Sequence, residues 1–439
     1  MHTDATGAFE ARPQVTAAEE ESSWPDKLFK RRHVYHLPGY DTAGCEAQYR
    51  RFAGQLVRFK RTWPVEASLS ELERSNPQSR GWWTVQTHCA DWQVETVHEV
   101  LLWNDIVLAD FARPLVLRIA KAAVAYLDLI ATGTFYRYFM ANYRYGIFFL
   151  FPLIVLSMFG FAAWLLACFV ADCLLQLVGS AEFAISLIAG IASFFVLLQW
   201  PGRSWRVHHA LDGWIFARDY IHDRRNDINA RLDVFANVIL ARAREAGVDE
   251  IVLVGHSLGA TLAVDLIDRA LTIDSEFGRR GAAVCLLTVG ATIPKFTLHP
   301  AAKRLRRAAA RIAAEPSIAW AEYQARVDII SFYTCNPATL ARTDEQLSGQ
   351  PVIRHVQIDQ MLTPETYARH RRRYMRLHYQ PVMANEKRAP YDYFMMACGP
   401  ALFRSWTVSP TGLLDFVRAD GSFCEPSMGG ELLATGSSR

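Results

Sequence analysis

The chain has 439 residues, which is room for two or three domains. Hydrophobic residues make up 51% and charged residues 21%, which excludes a disordered polymer. The balance of 47 Lys+Arg against 44 Asp+Glu, a formal +3, excludes the basic face that nucleic acid would need.

Residues 1–24 are rich in Ala, Glu and Thr, with no apolar core of a signal peptide, and read as a disordered tail. A first stretch of globular sequence, 25–105, follows. It holds a strand at His33–Leu37, the turn "PGYD", a helix at Cys45–Arg61 and a strand at Trp82–His88. Trp82, Trp83, Trp92 and Trp103 read as core or interface aromatics. The eight cysteines form no C-x-x-C pair and no zinc-like spacing. They read as buried free thiols of a reducing compartment.

Residues 106–204 read as a membrane insertion. Ile106–Met140 has apolar residues at helical spacing and suits either an interfacial or a core-facing amphipathic helix. The run 146–171 then exceeds the ~20 apolar residues that cross a bilayer, and 183–202 is just long enough. Arg137 and Arg144 precede the pair and Arg203 and Arg206 follow it, while the loop 172–182 has no Lys or Arg. The positive-inside rule places both flanks, and so both termini, in the cytoplasm. The Ala- and Arg-rich composition resembles that of GC-rich bacterial genomes, and the expected bilayer is a bacterial inner membrane.

Residues 205–424 alternate helix and strand, and 425–439 read as a flexible tail. Asp227–Ala246 is helical, followed by a strand at Glu250–Val254 and a helix at Leu258–Leu271. Further strands are expected at Ala283–Val289, Ala319–Ala325 and Val352–Ile358. This pattern predicts an α/β fold with a mostly parallel sheet flanked by helices.

The run "DEIVLVGHSLGATLAVDL" contains Gly255-His256-Ser257-Leu258-Gly259, a G-x-S-x-G motif between a β-branched strand and an apolar-striped helix. A nucleophile on such a turn stands exposed at a strand end. The two glycines keep side chains out of the tight space, and the Leu258 amide at the helix N-terminus faces developing negative charge. With this motif and its flanks the chain resembles the α/β-hydrolase superfamily, in its lipase and esterase branch. The likeness is looser at "YHLPGYD" and does not cover the apolar hairpin.

The resemblance implies Ser257 as nucleophile, a second oxyanion donor from Gly39 or Tyr40, and an acid and then a histidine downstream. Asp328 is the preferred acid, ahead of Asp359 and Asp344. His378 is the preferred base, ahead of His370, in a cationic run, and His355, within a strand. His299 precedes the acid and is in the wrong order, and His256 is excluded as base by its place on the turn. The expected protein is a membrane-anchored serine hydrolase of lipid or acyl esters, with no metal or cofactor. An acyltransferase or thioesterase on the same residues, and a non-catalytic membrane scaffold, are the alternatives. The Arg369–Arg373 run reads as a solvated face or a contact for anionic headgroups.

Overall fold

The computed structural model describes residues 28–174, 182–341 and 350–424. The expected tails, the loop between the apolar segments and Asp344 lie outside these residues. The strands are β1 Leu28–Leu37, β2 Glu66–Leu69, β3 Glu73–Arg74, β4 Arg80–His88 and β5 Trp92–Leu101. After the insertion come β6 Glu250–His256, β7 Ala283–Val289, β8 Ile318–Ala325 and β9 Val352–Val356. They form one sheet in the order β2-β4-β5-β1-β6-β7-β8-β9, with β3 beside β4. The run from β5 to β9 is parallel, while β2, β3 and β4 are antiparallel to their neighbours. The fold is α/β, with a mixed and mostly parallel sheet between helices.

Strand sequences match their position. β6, β7 and β8 are almost wholly buried, as their unbroken apolar runs require of strands covered on both faces. β4 alternates instead, with Trp83 and Val85 inward, so its other face is half open. Two strand expectations need correction. β1 begins at Leu28, not His33, because Leu28 already pairs with Trp92. β5 was not expected at all, because Glu95, His98 and Glu99 interrupt its apolar pattern. Glu99 is buried there through pairs with His33 (3.0 Å) and Arg80 (2.9 Å). Helices Asn226–Ala243, Leu258–Ile273 and Lys303–Ala314 cover one face, and Cys45–Thr62, Tyr393–Cys398 and Phe403–Val408 the other.

The insertion lies between β5 and β6. The single helix expected at 106–140 is three helices, Asn104–Phe111, Leu115–Ala131 and Thr134–Ala141. Pro114 cannot continue the first, and Gly133, at φ +70°, ends the second. Arg113 (2.7 Å) and Arg118 (2.8 Å) anchor this lead-in to the fully buried Asp212 on helix Val207–Ile221. Burial pushes the Asp212 carboxyl up to about 6, against the pull of both arginines. Val207, Leu211, Trp214 and Ile215 pack on the insertion, so the packed unit runs past the 204 boundary.

Helices Tyr143–Leu174 and Glu182–Gln199 follow the lead-in. Two stretches, Tyr143–Cys173 and Phe183–Ser204, are long and apolar enough to cross a membrane, with mean hydropathy 2.5 and 2.0. Their outward residues are bare, including Phe161 (59% exposed), Trp164 (59%) and Phe183 (76%), where a soluble core would cover them. The helices meet over small residues: a Cβ on Gly190 would lie 3.0 Å from Ala167 Cβ. The eight cysteines are free thiols. Cys45, Cys285, Cys335 and Cys398 are buried as expected, but Cys168 and Cys173 lie on the exposed face of the first apolar helix and Cys89 and Cys424 are half-buried.

Candidate active site

Ser257 sits between the end of β6 and the first turn of helix Leu258–Ile273, with φ +58° and ψ −123°. An L-residue holds that conformation only where its surroundings impose it. Here the Ser257 N–H donates to Val289 O (3.1 Å), and its carbonyl accepts from the amides of Ala260 (3.1 Å) and Thr292 (3.3 Å). The glycines of the motif make the turn possible. A Cβ on Gly255 would come within 2.5 Å of Ala260 Cα, and one on Gly259 within 2.1 Å of Leu37 O. The helix N-terminus is therefore pressed against the end of β1.

That contact brings the turn after β1 to the serine. A Cβ on Gly39 would stand 3.1 Å from Ser257 Cβ and 3.5 Å from its Oγ. Trp103 Nε1 holds Pro38 O at 3.0 Å, and Tyr40 OH donates to the buried Asp110 at 2.8 Å, which fixes the turn on both sides of Gly39. The amides of Tyr40 and Leu258 donate to no other protein group among the described residues. Two free N–H groups on fixed backbone, in the turn beside and the residue after a half-buried serine, are what an oxyanion requires.

Asp328 follows β8, and His378 lies on the short helix Tyr374–Tyr379, after β9. The structure brings them together: the His378 Nδ1–H donates to Asp328 Oδ2 at 2.7 Å, with both side chains buried. The other carboxylate oxygen accepts from the Ile330 amide at 3.0 Å. Burial opposes ionisation of Asp328. The charge of His378 and these hydrogen bonds outweigh it and hold the carboxyl below its usual range. An ionised carboxylate can only accept, so the neutral ring carries its proton on Nδ1 and leaves Nε2 as a base.

Sequence reasoning missed two supports of this pair. Gly290, at φ +55°, ends β7. A Cβ there would lie 3.3 Å from both Asp328 Oδ2 and His378 Cε1, so a side chain would crowd the pair, on a backbone conformation that already favours glycine. His256 points away from the serine and into the protein, and its Nε2–H donates to the His378 carbonyl at 3.0 Å. Burial, then the nearby His378, pushes the pKa of His256 down to about 3, so it is a neutral donor. Tyr379 OH adds a bond to Asp41 Oδ2 at 3.2 Å, tying the His378 helix to the Gly39 turn. The G-H-S run gave no sign of the His256 role, because its acceptor lies far along the chain.

The competing residues lie elsewhere. Asp359 and His355 are exposed, and His355 packs on Tyr333 with ring centres 4.8 Å apart. His370 is half-buried at the end of helix Pro364–His370. Burial and then Arg376, Arg373 and Arg369 lower its pKa. His299 is buried beside Asp128 and His222, and these three offer ligand atoms within 4.8 Å of one another. The donor set is wrong for a metal. The Ala301 amide donates to His299 Nδ1 (3.1 Å), which keeps the ring proton on Nε2, and Arg218 lies 3.2 Å from the Asp128 carboxylate. The His222–Asp128 bond at 2.8 Å clasps the lead-in helix to the body, with His299 packed beside it. No family model, no curated protein and no solved structure matches this chain.

Proposed function

We propose that the chain is a membrane-anchored serine hydrolase of carboxylic esters, built on an α/β-hydrolase-like fold. The observation that carries this reading is the buried 2.7 Å Asp328–His378 pair at the same sheet edge as Ser257 on its strained turn. The strand order supports it, with nucleophile, acid and base following β6, β8 and β9 of one parallel run.

In this reading Ser257 Oγ attacks the ester carbonyl while His378 Nε2 takes its proton. Asp328 holds the imidazolium through Nδ1–H, and the amides of Leu258 and Tyr40 stabilise the oxyanion. Collapse expels the alcohol with the proton returned by His378, and water releases the acyl group by the same route in reverse. Ser257 Oγ has no hydrogen-bond partner among the described residues, and such contacts commonly close only with substrate bound. The two apolar helices would span the bilayer and hold the site at its surface.

A fluorophosphonate probe on detergent-extracted protein tests the reading. Labelling should vanish in Ser257→Ala and fall sharply in His378→Ala. A well-folded wild type that resists the probe and turns over no ester would remove the proposal.

A further inference from the structure

A cavity of about 340 Å³ lies where the first apolar helix meets the body. Arg144, Ile147, Phe148 and Phe151 form one wall, and Ile329 and Tyr374 the other. Its size is within the range of small-molecule sites, about 300–1,000 Å³. The second wall belongs to the segments that bear the acid and the base. Ile329 directly follows Asp328, and Tyr374 is one turn before His378 on the same helix. The first wall is the opening turns of the apolar helix, just after Tyr143 and at Arg144.

The exposed charge on the segments that form its walls is cationic, while the Asp328 carboxylate beside Ile329 is buried and held by His378. Arg144 reaches Arg326 O (2.6 Å) and Tyr143 OH (3.2 Å) but pairs with no carboxylate among the described residues. Arg371, Arg372 and Arg373, just before Tyr374, are exposed and equally without an ion pair there. An apolar slot with Arg144 in one wall, and the Arg371–Arg373 run leading into Tyr374 of the other, suits a chain with an anionic head. We propose that this cavity admits the acyl chain of an anionic membrane lipid sideways from the bilayer. Arg144 and the Arg371–Arg373 run would hold the headgroup. This rests on the reading of Ser257 as an ester-cleaving nucleophile and names the substrate class of that site.

The test uses the full chain in phosphatidylcholine–phosphatidylglycerol vesicles that carry phosphatidylglycerol with a diazirine on one acyl chain. Illumination should crosslink the lipid to peptides containing Ile147–Phe151 and Ile329, and phosphatidylcholine bearing the same diazirine should give weaker crosslinks there. Ile147→Trp and Ile329→Trp, one from each wall, should both suppress these crosslinks. They should also lower the ratio of long-chain to short-chain ester turnover, by about tenfold for every two methylenes kept out. Crosslinks spread evenly around both apolar helices, or an unchanged ratio in both variants, would overturn the lipid path and leave the esterase reading intact. Crosslinks at the cavity in a chain inert to fluorophosphonate and to both esters would instead refute the esterase reading and leave a lipid site.

Discussion

Asp328→Asn tests the geometry most directly. In the native site the ionised carboxylate accepts Nδ1–H at 2.7 Å and the Ile330 amide at 3.0 Å. An asparagine keeps the Ile330 bond with its carbonyl, which turns its NH₂ toward Nδ1. Nδ1 must then accept, the proton moves to Nε2, and the ring shows the serine a donor instead of a base. In serine hydrolases this change costs about 10⁴-fold in turnover, or about 5.5 kcal/mol of activation free energy. The assay is turnover of a short soluble ester in detergent, with thermal unfolding in parallel. The fold should survive, because the substitution keeps shape and one of the two hydrogen bonds. A properly folded variant within tenfold of wild type would show that Asp328 does not orient a working imidazole, and the mechanism would fall. The stability effect has its own sign. A carboxyl held below its usual range stabilises the fold above about pH 4 and loses that contribution as pH falls through its lower native value. The gap between wild type and Asp328→Asn should therefore narrow on acidification.

The remaining predictions concern strain, a buried charge and topology. Ser257→Gly relieves a positive φ worth about 1–3 kcal/mol, less about 0.5–1 for the freer unfolded chain, so it should melt higher while losing all probe labelling. A lower melting point would show that the turn is not strained. Lys295 is buried, with Nζ on Gly213 O (3.0 Å) and 4.2 Å from the Trp214 ring centre, and burial pushes its pKa down to about 7. A free lysine titrates near 10.4, so the penalty of the buried charge is complete below about pH 7 and fades toward pH 10. That penalty is about 4 kcal/mol at pH 7 and the orphaned carbonyl costs about 2, so Lys295→Met should gain about 2 kcal/mol there. Denaturant titrations should show the gain shrinking by pH 10, and a gain that grew with pH would reverse the assignment. In a chain cleared of native cysteines, Ser180→Cys in spheroplasts should react with an impermeant maleimide and Arg224→Cys should not. The opposite pattern would invert the proposed topology.

What was legible in the sequence was local. The turn at Ser257 could be read because a β-branched strand, two glycines and a helical stripe sit side by side in the chain. The apolar helices could be read from composition alone. Asp328 and His378 could be ranked only by their neighbours in the chain and by order, since their meeting depends on where β8 and β9 end. Gly290 and His256 could not be read. One serves by leaving space and the other by donating to a carbonyl, and both partners are distant in sequence. β5 escaped because His98 and Glu99, buried on opposite faces of it, are polar groups whose burial is tolerable only through partners on β1, β4 and the Tyr393 helix. Conversely, the break at Pro114 and Gly133 was written in the sequence and was overridden by the regularity of the apolar spacing.

The insertion and the site are mechanically joined, which neither motif suggests by itself. The loop that carries Asp328 continues into Phe332, whose ring lies 3.9 Å from Tyr145 at the base of the first apolar helix. Asn142 donates to Tyr333 O (3.3 Å) and Arg144 to Arg326 O (2.6 Å), so that base grips the loop on both sides of the acid. A hydrolase needs its acid fixed to within a fraction of an ångström for the base to point correctly. Here that fixing comes partly from a helix suited to lipid. The base of the first apolar helix is therefore a packing partner of the loop that carries Asp328, and in the proposed reading a shift of that helix in its bilayer would be felt at the acid.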